Sequence, residues 1–118
     1  MKSIKLTTLI VLISLGLSAQ DMTTGLWLTG EDNTKIETYQ KDKMWYGKIF
    51  SSENPNAEIG KDILLGFVKK EGQWLGKIYA AKRDKVLDAI ITPHKDKLDI
   101  IVSAGIFKRQ LTWNLDQN

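Results

Sequence analysis

A seven-residue segment occurs twice in this chain. Met44-Trp-Tyr-Gly-Lys-Ile-Phe50 returns, slightly altered, as Gln73-Trp-Leu-Gly-Lys-Ile-Tyr79, so both copies read Trp-x-Gly-Lys-Ile-aromatic. In an extended strand, alternate side chains share a face. Trp45, Gly47 and Ile49 therefore point one way, and Trp74, Gly76 and Ile78 do the same in the second copy. No amphipathic helix of useful length accompanies this period of two. The chain is thus restricted to an antiparallel sheet of similar hairpins.

Turn chemistry divides that sheet. Strands are expected over 24–30, 34–40, 44–52, 63–70, 73–81, 85–92, 97–104 and 107–115. The punctuation is Glu31-Asp32-Asn33, Lys41-Asp42-Lys43, Glu71-Gly72, Pro93 and Gly105. The connection 53–62, with Asn54-Pro55-Asn56, is longer and has room for one turn of helix. A strand and turn roughly every ten residues predicts an all-β meander, a small antiparallel up-and-down barrel of about eight strands. Closure removes the two unpaired edges that an open sandwich of the same strands would keep.

The first nineteen residues read differently. Lys2 and Lys5 precede an apolar run from Leu6 to Leu17, and Ser18-Ala19 offers small residues for cleavage. That order is a secretory signal peptide, and the run is shorter than the ~20 apolar residues of a membrane span. Residues 1–19 are expected to be removed, leaving 20–118 as a single domain in the periplasm or outside the cell, with no membrane span. The whole chain has 17 basic and 14 acidic residues. Without Lys2 and Lys5 the balance is 15 to 14. So small a net charge does not point to nucleic acid or to an anionic surface. The absence of cysteine excludes disulfides, thiol catalysis and Cys-based metal sites.

Catalytic signatures are missing too. The one histidine, His94, follows Pro93 at a Lys-rich turn, with no evident nucleophile. No Gly-x-Ser-x-Gly elbow, phosphate-binding loop or dinucleotide fingerprint occurs. Glu31-Asp32-Asn33 is too short for a calcium loop. Neither an enzyme, a metal nor a cofactor is expected.

The final strand places Phe107, Arg109, Leu111, Trp113 and Leu115 on one face. Arg109 is its only charged member and needs a partner if buried. First and last strands adjoin in a closed meander, so Arg109 is expected to stack on Trp27. Trp27, Trp45, Trp74 and Trp113 form an aromatic lining if all four face inward. Barrel size favours their filling the interior over a roomy pocket. If a pocket exists, these four indoles and Arg109 are its expected lining. Its ligand would be small and apolar, or an anionic amphiphile whose head pairs with the guanidinium.

A basic residue over the tryptophan of Gly25-Leu-Trp27 resembles the signature of the calycins, the lipocalins and their relatives. The fuller resemblance is to the DUF2147 family of exported bacterial proteins. It is carried by Gly25-Leu-Trp-Leu-Thr-Gly-Glu31, Tyr46-Gly-Lys-Ile49, Asn54-Pro55, Ile63-Leu-Leu-Gly66, Trp74-Leu-Gly-Lys-Ile-Tyr79 and the segment Arg109 to Trp113. The resemblance implies a lipocalin-like barrel in the cell envelope and lends no activity.

The outer face raises a second possibility. By parity Met44, Tyr46, Lys48 and Phe50 face out, as do Leu75, Lys77 and Tyr79. The strand between them has Ile63, Leu65 and Phe67 on one face and Leu64 and Val68 on the other. Two apolar faces ask for a cover. Either the connection 53–62 supplies it, or a second copy or an envelope protein docks through Tyr46, Phe50 and Tyr79.

Overall fold

The computed structural model describes residues 21–117. The expected signal peptide lies outside them. Eight strands follow in order: β1 (Gly25–Leu28), β2 (Lys35–Lys41), β3 (Met44–Ser51), β4 (Asp62–Lys70), β5 (Gln73–Ala80), β6 (Lys85–Pro93), β7 (Lys97–Ala104) and β8 (Phe107–Leu115). Each pairs antiparallel with the next, and β1 pairs with β8 to close an up-and-down barrel. Two-residue turns make three of the links, Gly105-Ile106 between β7 and β8 being one, with Gly105 at φ 65°. Asp42 and Lys43 both have positive φ, as do Glu71 and Gly72, which is the backbone that a tight hairpin matching the strand twist requires. The long connection contains no helical turn. It folds as two tight turns, with Ala57 N–H donating to Asn54 C=O and Lys61 N–H to Glu58 C=O.

The repeated tryptophan strands, β3 and β5, flank β4, and their glycines receive its side chains. A Cβ at Gly47 would lie 2.9 Å from Leu64 Cδ1 and from Ile36 Cγ2. A Cβ at Gly76 would lie 2.7 Å from two ring carbons of Phe67. Leu64 and Phe67 are both fully buried, although they are three residues apart and strict alternation would put them on opposite faces. The register explains this. On β4, Phe67 faces Trp45, Leu64 faces Gly47 and Asp62 faces Lys48, so β4 bulges twice against β3. Gly66, at φ 62°, sits in one bulge, where glycine relieves the left-handed backbone. The apolar run in β4 is therefore mostly one inward face with bulges, not two apolar faces. Ile63, Leu64 and Phe67 stay inside, while Val68 is exposed.

Residues 21–24 close the end of the barrel from which β1 starts. Asp21 pairs with Lys69 at 2.8 Å, and Met22 is buried in the core. The Trp27 indole N–H donates to Thr38 Oγ1 at 2.9 Å, and that hydroxyl donates to Thr23 C=O at 2.7 Å. Thr38 is thus a buried polar group with both its needs met. Trp74 Nε1 is buried without a protein partner.

The β1–β8 seam is short. Only Trp27–Leu115 and Leu28–Asn114 are in register. Asp116 extends the seam through its N–H to Leu26 C=O and its carboxylate to Lys35 Nζ at 2.8 Å. The sequence predicts a first strand over 24–30, but it ends at Leu28. There Thr29 N–H turns to Thr34 C=O, and Gly30, Asp32 and Asn33 take positive φ. Upstream of that point β8 has β7 on one side and no strand on the other.

Replacing Gly76 with Ala should force the rigid Phe67 ring to move. We expect a loss of ~1–3 kcal/mol in urea unfolding with the fold retained. An unchanged midpoint would mean that the ring does not rest on Gly76.

Candidate functional site

The barrel interior is divided along its axis. Trp45 and Trp74 are the second residues of β3 and β5. Trp27 is the third residue of β1, and Trp113 is third from the end of β8. Because alternate strands run oppositely, all four positions lie toward the end closed by Met22. All four indoles are buried. The other half is lined by Ile36, Ile49, Ile63, Ile78, Leu87 and Leu111, side chains too short to meet across it. A cavity of about 860 Å³ results, which includes the space between the polar connections at its open mouth and falls within the usual range for small-molecule sites. The expectation of a filled barrel is therefore half right. The four indoles fill the interior only where they gather, at one end.

Trp113 forms the base of this cavity, and Arg109 stands at its mouth. Trp27, Trp45 and Trp74 lie outside the lining, packed beneath it in the core. The expected stacking of Arg109 on Trp27 does not occur. Trp27 is level with Leu115, six residues from Arg109 along β8, roughly 20 Å at the rise of a strand. Parity does aim Arg109 inward, but it is the third residue from the open end, so its guanidinium is exposed. Among the described residues it makes no ion pair or hydrogen bond. The residue that fixes Trp27 is Thr38, which sequence reasoning missed. Thr38 pairs with Gly25 in the register, and its inward parity on the 34–40 strand was the available signal.

The mouth is built by the four connections at one end of the barrel. Thr29 to Thr34, Ser52 to Lys61, Ala80 to Arg83 and Ala104 to Arg109 all contribute to it. The incomplete β1–β8 seam lets it continue down the wall, since the residues on both sides of that gap line the cavity. Hydrogen bonds hold this rim in shape. Glu53 N–H donates to Asp32 C=O at 2.8 Å, Asn33 Nδ2 donates to Glu53 Oε2 at 3.0 Å, and the Thr34 and Ser52 hydroxyls meet at 2.7 Å.

On the outer face, the residues expected at an interface have companions within the chain. Tyr46 stacks on Tyr39 with ring centroids 5.7 Å apart. Lys61 Nζ lies 3.9 Å over the Tyr79 ring, whose hydroxyl donates to Asp84; that hydrogen bond holds the Tyr79 pKa above its usual value. Phe50 remains 48% exposed. The connection 53–62 thus covers part of this face through Lys61 and Asp62. Tyr39 donates to Asp62 Oδ1 at 2.6 Å. Burial first, then this hydrogen bond and the carboxylate's charge, push the Tyr39 pKa from 10.0 up to about 12.

His94 lies at the closed end, remote from the cavity. Its Nε2 is 2.8 Å from Asp99 Oδ2, while Thr112 Oγ1 donates to the other oxygen of that carboxylate. The threonine therefore binds the aspartate and not the imidazole, so the Thr112 hydroxyl is not placed for activation by His94. Among the described residues no group of three or more His, Cys, Asp or Glu is positioned to hold a metal ion.

Two measurements check this arrangement. Arg109→Ala should change stability by no more than about 0.5 kcal/mol, as for a surface residue. A loss several times larger would restore it to the core. In absorbance titrations, the tyrosine signal removed by Tyr39→Phe should be centred near 12. Because the folded pKa is the higher one, the stability tied to this proton is complete below pH 10 and lost as pH rises toward 12. A component centred at 10 would contradict the Asp62 contact.

Compared with known proteins, the chain matches no family model, no curated protein and no solved structure.

Proposed function

We propose that this protein is an exported binding protein that holds one small apolar or amphipathic molecule in the open half of its barrel. The supporting observation is the cavity of about 860 Å³, with an apolar wall and an indole at its base. Polar groups are confined to the mouth, where Arg109 has no partner of its own among the described residues. A chain folding for rigidity alone gains by filling such a space, since each lost contact in a void costs dispersion energy. An acyl or aromatic tail would lie on Ile49, Ile78 and Leu111 and reach Trp113. An anionic head would remain at the rim near Arg109, half in water, where one charge contact contributes modestly. Neither the reading as a DUF2147 protein nor the location in the cell envelope depends on the cavity. Both are proposed from the sequence motifs and the leader. Association through Tyr46, Phe50 and Tyr79 is the weaker reading, because both tyrosines already pack against other side chains of the same chain.

Titration with a long-chain fatty acid tests the proposal through tryptophan fluorescence. The emission change should disappear in Trp113→Phe and persist in Trp45→Phe. Leu111→Glu should abolish binding, and Arg109→Ala should weaken an anionic probe by roughly two- to fivefold. No saturable signal from any fatty acid, or equal loss in both tryptophan variants, would contradict the site.

A further inference from the structure

The near-balance of charge over residues 20–118 hides a segregation at the cavity mouth. One lip consists of the β1–β2 and β3–β4 connections and carries Glu31, Asp32, Glu53 and Glu58, with Lys61 bridged to Glu58. The opposite lip consists of the β5–β6 turn, the start of β6 and the β7–β8 turn. It carries Lys82, Arg83, Lys85, Lys108 and Arg109, all exposed, and none of their side chains makes an ion pair or hydrogen bond among the described residues. Its one acid, Asp84, accepts the Tyr79 hydroxyl.

The tip of this basic lip is apolar. The tight turns between β2 and β3 and between β4 and β5 carry Asp42-Lys43 and Glu71-Gly72. The turn between β7 and β8 carries Gly105-Ile106, followed by Phe107. Ile106 is 92% exposed and Phe107 72% exposed. Val86, 53% exposed, falls beside Gly105 in the continuation of the β6–β7 register. A hairpin tip gains nothing in water from an isoleucine and a phenylalanine side by side, and exposed apolar clusters mark contact surfaces.

We propose that this lip docks the protein on an anionic lipid bilayer. Ile106 enters the headgroup region beside the exposed ring of Phe107 at the cavity mouth, and Lys82, Arg83, Lys85 and Lys108 face the lipid phosphates. The pairing of apolar insertion with basic attraction is what a peripheral membrane contact needs. A nucleic-acid or acidic protein surface would use the cations but would give Ile106 no reason to stand exposed at the apex of a turn. The geometry also sets the mouth of the cavity against the bilayer. Docking uses side chains at the turn tips and does not require the cavity to be occupied, so it can fail or hold independently of ligand binding.

The test expresses the full chain, recovers the soluble protein from the cell envelope and floats it with vesicles. One set is phosphatidylcholine alone, and the other is equal parts phosphatidylcholine and phosphatidylglycerol. The protein should float with the anionic vesicles, hardly at all with the neutral ones, and less at high salt. The double variants Ile106→Ser with Phe107→Ser and Lys85→Glu with Lys108→Glu should each lower the vesicle affinity by about tenfold or more. Both should keep the wild-type circular dichroism, and Ile106→Ser and Lys85→Glu alone, at positions outside the cavity lining, should also still bind a fatty acid in solution. The proposal requires both losses. It is overturned if either variant floats like the wild type, if neutral and anionic vesicles capture the protein equally, or if neither set captures it. It is also overturned if sedimentation shows that the substitutions dissociate a dimer while vesicle binding stays absent.

Discussion

The seating of Leu64 and Phe67 on two glycines is the contact around which the barrel is organised. Gly47 and Gly76 occupy the same place in the two copies of the repeat, and each leaves a hollow where a Cβ would stand closer than 3 Å to a neighbour. A buried leucine and a buried phenyl ring fill those hollows from the strand between. For both to point inward, β4 must carry more residues than β3 over the same span, and the bulge at Gly66 provides one of them. Bulges tighten the local twist, and tight curvature is what a sheet of only eight strands needs in order to close.

The rest of the interior follows from where the large side chains fall. With indoles near the same end of four strands, Met22 beneath them and Trp27 tied to Thr38, that half is packed solid. The opposite half receives aliphatic side chains, with Phe107 and Arg109 at its mouth, and ends in a seam that β1 is too short to complete. The same chain is thereby rigid at one end and hollow at the other. Stability resides in the tryptophan half, which frees the open half to keep an apolar cavity and an uneven charged rim.

Much of this was legible in the residues. Turn chemistry placed all eight strands, and all four indoles do face inward, with Arg109 on the same face of β8 as Trp113 by parity. What parity lacks is height along the barrel. The height was there to be read, because Trp45 and Trp74 open their strands while Arg109 lies at the start of its own. In an up-and-down order those positions are opposite ends. The bulges in β4 were harder to foresee. A glycine within a strand pattern hints at one, but whether Gly66 bends the strand depends on Leu64 and Phe67 both finding hollows in neighbouring strands, a long-range condition. The early end of β1 likewise depends on the hydrogen bonds of Thr29 and Thr34 and on the left-handed backbone at Asp32 and Asn33. The segregation of basic and acidic residues at the mouth follows only once the connections are gathered at one end.

Through-space proton contacts in the ligand-free protein would test the divided interior most directly. Ring protons of Phe67 should lie against the α-protons of Gly76, and Leu64 methyls against Gly47. Ile63 and Leu111 stand on strands at opposite sides of the barrel, as do Ile49 and Val102. With the upper half hollow, neither pair should show a methyl–methyl contact. Strong contacts between Ile63 and Leu111, or between Ile49 and Val102, would mean that the open half has collapsed on itself and that there is no cavity to fill.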